Sequence, residues 1–169
     1  MGDIFKEQIV KRKPTTGDMV KKIGLAAAVL VIFIVSSPYL GQFAIFITFA
    51  AGFGAYILMG RLNVEYEYIF TNGDLDIDII YNRTQRKRLF TGRVSDFEVM
   101  AHVTDNNHAG DFSSAVETKD YSSGVVSDIT YAFLTFYKNK RTKIIFEPNE
   151  MMMKAISSAL TPRKLFKKP

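Results

Sequence analysis

Cysteine is absent from the 169 residues, which excludes disulfide scaffolds, thiolate–zinc sites, iron–sulfur clusters and cysteine nucleophiles. Histidine is nearly absent. The two present, His102 and His108, lack the His-x₃-His spacing of a zinc site, with His102 expected on the polar face of a strand and His108 in a loop. There is no glycine-rich phosphate loop followed by Lys-Ser/Thr, and no Gly-x-Ser-x-Gly elbow surrounds Ser113-Ser114 or Ser122-Ser123. No catalytic set, cofactor or metal is therefore expected, and the chain does not read as an enzyme. One further absence is local: Ile23 to Gly60 contain no Asp, Glu, Lys or Arg.

What is present is 47% hydrophobic and 13% aromatic, too apolar for disorder as the main state. The length suits one modest domain, on a prior of about 100–200 residues each. The uncharged stretch divides into two apolar runs, Ile23–Leu40 and Phe43–Gly60, each of about 18 residues and rising roughly 27 Å as a helix, close to the ~30 Å of a bilayer core. Ser36-Ser37-Pro38 and Gly41 carry the local chemistry of a turn between them, so a two-helix transmembrane hairpin over 23–60 is expected. Its hydrophobicity is all-round, unlike that of a buried hairpin in a soluble protein. A cleaved signal peptide is disfavoured by the long preceding segment and the second span.

Lys6, Lys11, Arg12, Lys13, Lys21 and Lys22 precede the first run and Arg61 follows the second, which places both termini in the cytoplasm and the protein in the inner (plasma) membrane. Gly24 and Ala28, Ala50 and Gly54, and Ala51 and Ala55 are small residues four apart. They would pack the hairpin on itself, with homo-oligomerisation through the same faces as the second reading. The spans hold no acidic or basic side chain, which disfavours an ion path. Residues 1–22, with Ile4, Phe5, Ile9 and Val10 beside Lys6, Lys11, Arg12 and Lys13, read as a basic amphipathic helix ending near Pro14.

Residues 62–169 read as a cytoplasmic domain. Val64, Tyr66, Tyr68 and Phe70 alternate with Glu65, Glu67 and Ile69, a strand period. Asn72-Gly73 fits a type I′ hairpin turn, and Leu75, Ile77 and Ile79 then alternate with Asp74, Asp76 and Asp78. Asn82–Arg88 is expected as a polar turn, followed by short strands near Leu89-Phe90 and over Phe97–Thr104. Residues 105–128 are polar and read as a long mobile loop, with room for a partial strand in it. A second hairpin is expected over Ile129–Tyr137 and Thr142–Glu147, then a helix from Pro148 to about Leu160. The order, strands and then one helix, specifies an α+β domain: an antiparallel sheet or open barrel capped by the terminal helix.

The segment from Tyr66 (YEYIFTNGDLDIDIIYNRTQRKRLFTGRVSDFEVM) and the closing EPNEMMMKAISSAL resemble a bacterial pleckstrin-homology-like domain. The whole chain, including DIFKEQIVKRKPT at its start, is similar to a family of small two-span bacterial membrane proteins. The resemblance implies a cytoplasmic β-barrel with a C-terminal helix behind a membrane hairpin, and no activity.

Two candidate sites emerge. Asp74, Asp76 and Asp78 share one strand face, but alternate side chains stand almost 7 Å apart, roughly two rises of ~3.3 Å, which suits pairing with Arg86 and Arg88 better than a curved calcium loop. The basic residues Arg83, Arg86, Lys87, Arg88 and Arg93, joined by the tail residues Arg163, Lys164, Lys167 and Lys168, are a candidate contact for anionic lipid or a protein partner. Nucleic acid is not expected, because from Arg61 onward 16 basic residues face 14 acidic ones. The expected function is a membrane-anchored, non-enzymatic interaction module. The rival is a small integral-membrane enzyme or transport accessory using Asp74, Asp76 and Asp78.

Overall fold

The computed structural model describes residues 4–160 and the backbone of residues 165 and 166. The chain forms two compact units: one is helical, Pro14–Val64 with Tyr81–Gln85, and the other joins the residues up to Lys13 to Glu65–Ile80 and to the chain from Arg86 onward.

In the helical unit, α1 (Thr16–Leu40) opens with a capping box. Thr15 Oγ1 accepts from the Asp18 amide at 3.2 Å, and the Asp18 carboxylate accepts from the Thr15 amide at 3.0 Å, so two amides that the helix leaves orphaned find partners. The helix runs through Pro38 and ends at Gly41, whose φ of 54° only glycine adopts cheaply. A 3-10 turn, Gly41–Phe43, leads directly into α2 (Ala44–Gly60). The expectation of two helices joined by a turn at Ser36–Gly41 is corrected accordingly: α1 continues through Ser36, Ser37 and Pro38, and with only the 3-10 turn between α1 and α2, Thr16–Gly60 is one 45-residue helical run bent at Gly41. Its arms nonetheless double back, since Lys22 Nζ donates to Asn63 Oδ1 at 3.3 Å and a Cβ on Gly52 would lie 4.0 Å from Val29. On a straight helix Val29 and Gly52 would be roughly 35 Å apart at ~1.5 Å per residue.

The other unit is built on two sheets. The first has the order β1 (Phe5–Lys11), β2 (Val64–Thr71), β3 (Asp74–Tyr81), β4 (Gln85–Arg93). The second contains β5 (Val99–His102), β6 (Glu117–Asp120), β7 (Tyr131–Tyr137), β8 (Lys140–Phe146) and β9 (Leu165–Phe166), in the order β6-β8-β7-β5-β9. The β6–β8 and β5–β9 pairs are parallel. The expectation of one antiparallel sheet or open barrel is corrected: there are two sheets, the second mixed, and no ladder joins them among the described residues. After β4 the chain leaves the first sheet through a 3-10 turn, Val94–Asp96, with Val94 and Phe97 fully buried, and β5 takes β7 and β9 as neighbours.

The core is aromatic. Tyr68, Phe70, Phe90, Phe97, Phe133 and Phe146 are all nearly inaccessible. Phe97 stacks on Phe133 with ring centroids 4.0 Å apart, and Phe133 meets Phe146 edge-on at 5.2 Å, geometries that add to burial. The terminal helix α4 (Glu150–Ala159) contributes buried Met152, Met153, Ala155 and Ile156, and Asn149 caps it by accepting from the Met152 amide.

Three further expectations are corrected. Residues 5–11 are a strand, β1, and not an amphipathic helix: Gln8 pairs with Tyr68 and Ile9 with Glu67. An isolated helix this short is marginal in water, whereas the β2 edge offers a full set of backbone partners. Segment 105–128 is structured, with a 3-10 turn at Asn106–His108, a short helix α3 (Ala109–Ser113) and β6. The turn before β4 is only residues 82–84, with φ of 48° at Asn82 and 58° at Arg83, so Arg86–Arg88 lie within a strand.

Candidate functional site

The charged residues singled out in the sequence meet on the first sheet. Period-two alternation turns Leu75 and Ile77 into the core, fully buried, and sets Asp74, Asp76 and Asp78 on the other side of β3. β4 brings its arginines alongside. Arg88 Nη1 lies 2.6 Å from Asp76 Oδ2, and its Nε and Nη2 hold both oxygens of Asp78. Arg86 Nη2 lies 2.7 Å from Glu67 Oε1 on β2. Arg93 meets Asp74 at 3.5 Å with both side chains exposed, an arrangement of little energetic worth.

Burial deepens along this ladder. The Asp74 side chain is 58% exposed, Asp76 26% and Asp78 4%, so Asp78 is the shielded carboxylate, and removal of Arg88, itself 45% exposed, would leave it a buried charge. Glu67, 1% exposed, has one oxygen on Arg86 and the other, Oε2, buried without a hydrogen-bond partner. Burial raises its carboxyl above the ordinary range; Arg86 opposes this, and Glu7 on β1, with Asp78, reinforces it. The register places Glu7 diagonal to Glu67 on one face, since Glu7 pairs with Ile69 and Ile9 with Glu67.

Of the expected contact residues, Arg86, Arg88 and Arg93 are thus engaged in ion pairs within the sheet. Lys87 is exposed on β4, and Arg83 occupies the positive-φ turn. Arg163, Lys164, Lys167 and Lys168 lie outside the described residues.

A second polar cluster had no signal in the sequence. Glu147, 4% exposed, accepts from the Ser123 amide at 3.1 Å, Ser123 Oγ at 3.0 Å and Thr130 Oγ1 at 3.1 Å. Its backbone carbonyl accepts from Gln8 Nε2 and its amide donates to Tyr68 Oη. Tyr68 Oη in turn donates to the Tyr121 carbonyl, and burial pushes the phenols of Tyr68 and Tyr121 upward, the latter to about 12. His102, expected on a polar strand face, is instead 2% exposed. Its ring nitrogens meet Thr104 Oγ1 at 2.8 Å and the Ser127 carbonyl at 2.9 Å. The physical reason is that the side chain is satisfied from within, and a buried polar group is tolerated on that condition.

A cavity of about 270 Å³ opens beside α3 and β8. Asn106, Ser113, Thr118 and Lys143 offer it polar groups, and the Lys143 ammonium lies 4.8 Å from the centroid of the Phe112 ring. Asp105, at its rim, is held below the usual carboxylate range by its hydrogen bond from His108 and then by the Asn107 amide. No group of three or more metal-ligating side chains is arranged to hold an ion among the described residues.

A family model described as Bacterial PH-like domain (DUF6106) matches residues 2–167. No curated protein and no solved structure matches the chain.

Proposed function

Since the chain belongs to the bacterial PH-like domain family, we propose that it is a membrane-anchored, non-enzymatic interaction module, with Thr16–Gly60 crossing the inner membrane twice. Both termini and the sheet unit lie on the cytoplasmic side, where the module engages a protein partner or anionic lipid. The observation that carries this reading is the 45-residue helical run, long and apolar enough to cross a membrane and with none of its apolar window buried. Phe46, Phe49, Phe53 and Tyr56 all expose more than half of their surface, and a contiguous apolar surface of that kind needs an apolar surrounding. The basic flanks orient it. The rival reading, chemistry at Asp74, Asp76 and Asp78, gains no support from a ladder in which Arg88 and Arg93 hold the three carboxylates.

The absence of native cysteine makes the topology directly testable. Single cysteines at exposed Gln42 (Gln42→Cys) and Ser95 (Ser95→Cys) are treated with a membrane-impermeant maleimide on intact cells. The reading expects Gln42→Cys to label from outside and Ser95→Cys to label only after permeabilisation. Labelling of both from outside, or of neither without permeabilisation, would sink it.

A further inference from the structure

Between β6 and β7 the chain follows an inverted pattern, with polar side chains turned inward and apolar ones outward. Ser122 and Thr130 are buried, while Val125, Val126 and Ile129 are 45%, 63% and 46% exposed. The loop is also rigidly built. The Ser122 amide and hydroxyl both donate to Asp120, and Ser122 Oγ accepts from the Gly124 amide at 3.0 Å. The Ser123 amide and hydroxyl are anchored on Glu147. The Ser127 amide donates to Thr130 Oγ1 at 2.8 Å, and His102 Nε2 meets the Ser127 carbonyl. Gly124 takes the positive φ, 83°, that turns the two valines outward. Holding three branched apolar side chains in water on a preordered frame gains nothing for the fold itself, and such a frame lowers the cost of binding.

We propose that the Val125–Ile129 loop is a membrane-docking tip that inserts into the headgroup–acyl boundary of an anionic bilayer; this rests on the membrane-anchored reading. The occupant follows from the tether. The Lys13 amide donates to the Ser123 carbonyl at 2.8 Å, and only Pro14 and Thr15 separate Lys13 from α1, a reach of at most ~7 Å per two residues. The chain that holds the loop therefore leads into the apolar run after two turns of α1, Thr16–Lys22, a further rise of roughly 10 Å at ~1.5 Å per residue. Exposed Lys11 and Lys13 lie on that same stretch and complement anionic headgroups, the pairing of apolar contact with basic charge that interfacial segments use. Asp128, the acidic residue of the loop, is itself engaged within the protein.

The chain contains no tryptophan, so a single introduced indole reports its own surroundings. Val126→Trp, Val116→Trp and Phe49→Trp are made in the full chain and reconstituted into vesicles of phosphatidylcholine and phosphatidylglycerol with acyl-chain nitroxide lipids. Docking predicts blue-shifted emission and nitroxide quenching for Val126→Trp and Phe49→Trp, with Val116→Trp, at a 75% exposed site, quenched by aqueous iodide instead. If Phe49→Trp is quenched but Val126→Trp behaves like Val116→Trp, the docking tip is overturned and the anchor stands. Absence of quenching at Phe49→Trp overturns the anchor and the tip together. A blue shift at Val126→Trp without nitroxide quenching means that a protein or a second copy covers the loop, and equal nitroxide quenching of Val116→Trp means that the whole unit lies flat on the bilayer. Either result overturns the proposal. Val125→Trp repeats the measurement should Val126→Trp fail to fold.

Discussion

Glu67 on β2 shows how a single carboxyl can work against the fold that contains it. Burial raises its pKa from an unfolded reference near 4.5, with Arg86 only partly offsetting the cost and Glu7 adding to it. The folded state then binds more protons than the unfolded one between the two pKa values, so the slope of stability with pH is negative in that window. The contribution is fully present below the unfolded value and is lost as pH rises through the folded one. Thermal unfolding of the full chain in detergent should therefore show a loss of stability above about pH 4.5 that flattens in Glu67→Gln. An identical pH profile in the variant would show that the group titrates as if exposed. Of this site, the shared face of Asp74, Asp76 and Asp78 and their partner Arg88 were legible, because alternation along β3 is written in consecutive residues, whereas Arg86, expected beside them, pairs with Glu67 and Arg93 takes Asp74. Glu7 was not, since its role depends on a strand that pairs with residues some sixty positions later.

Elements built on local chemistry are the ones the residue string specifies best. Asn72 and Gly73 have φ of 50° and 101°, the two positive values a type I′ turn requires, and Lys138-Asn139 repeat the pattern between β7 and β8 at 51° and 62°. Nothing lies within 4 Å of a Cβ built on Gly73, so any penalty there is conformational. Gly73→Ala should destabilise the protein by about 1 kcal/mol, read as a lowered unfolding midpoint. Gly110→Ala, in α3 with equally open space and no positive φ, should cause no such loss. The strands that the residue string leaves unassigned or only partly marked share a different property. β1 and β6 are edge strands whose hydrogen bonds go entirely to distant partners, β2 and β8, and their own residues carry too few buried side chains to display a clear period.

At the scale of the molecule, the sheet unit is discontinuous, with residues up to Lys13 completing a fold whose remainder starts after the apolar run. Gln8 reaches across the unit to close two backbone groups, accepting from the Asn149 amide and donating to the Glu147 carbonyl, both at 2.7 Å. A fragment comprising residues 62–169 should consequently unfold at lower temperature than one carrying β1, because the β2 edge and those two groups lose their partners. Adding a synthetic peptide of residues 1–13 in trans should raise its unfolding temperature in a concentration-dependent way. A Gln8→Ala peptide should rescue less. Rescue that is equal for both peptides would show that the Gln8 contacts contribute nothing.

The amino-acid order alone determined the apolar run, the α+β class, both tight hairpins and the capped terminal helix. Each of these is dictated by residues within a few positions of one another, through periodicity, positive-φ turn residues and uncharged length. Tertiary structure decided the rest: the N-terminal segment became a strand, two sheets formed where one sheet or an open barrel was expected, and Glu67, His102 and Glu147 became buried. Those outcomes depend on which distant groups satisfy a backbone edge or a polar side chain, and that pairing is settled only when the whole unit closes around its aromatic core.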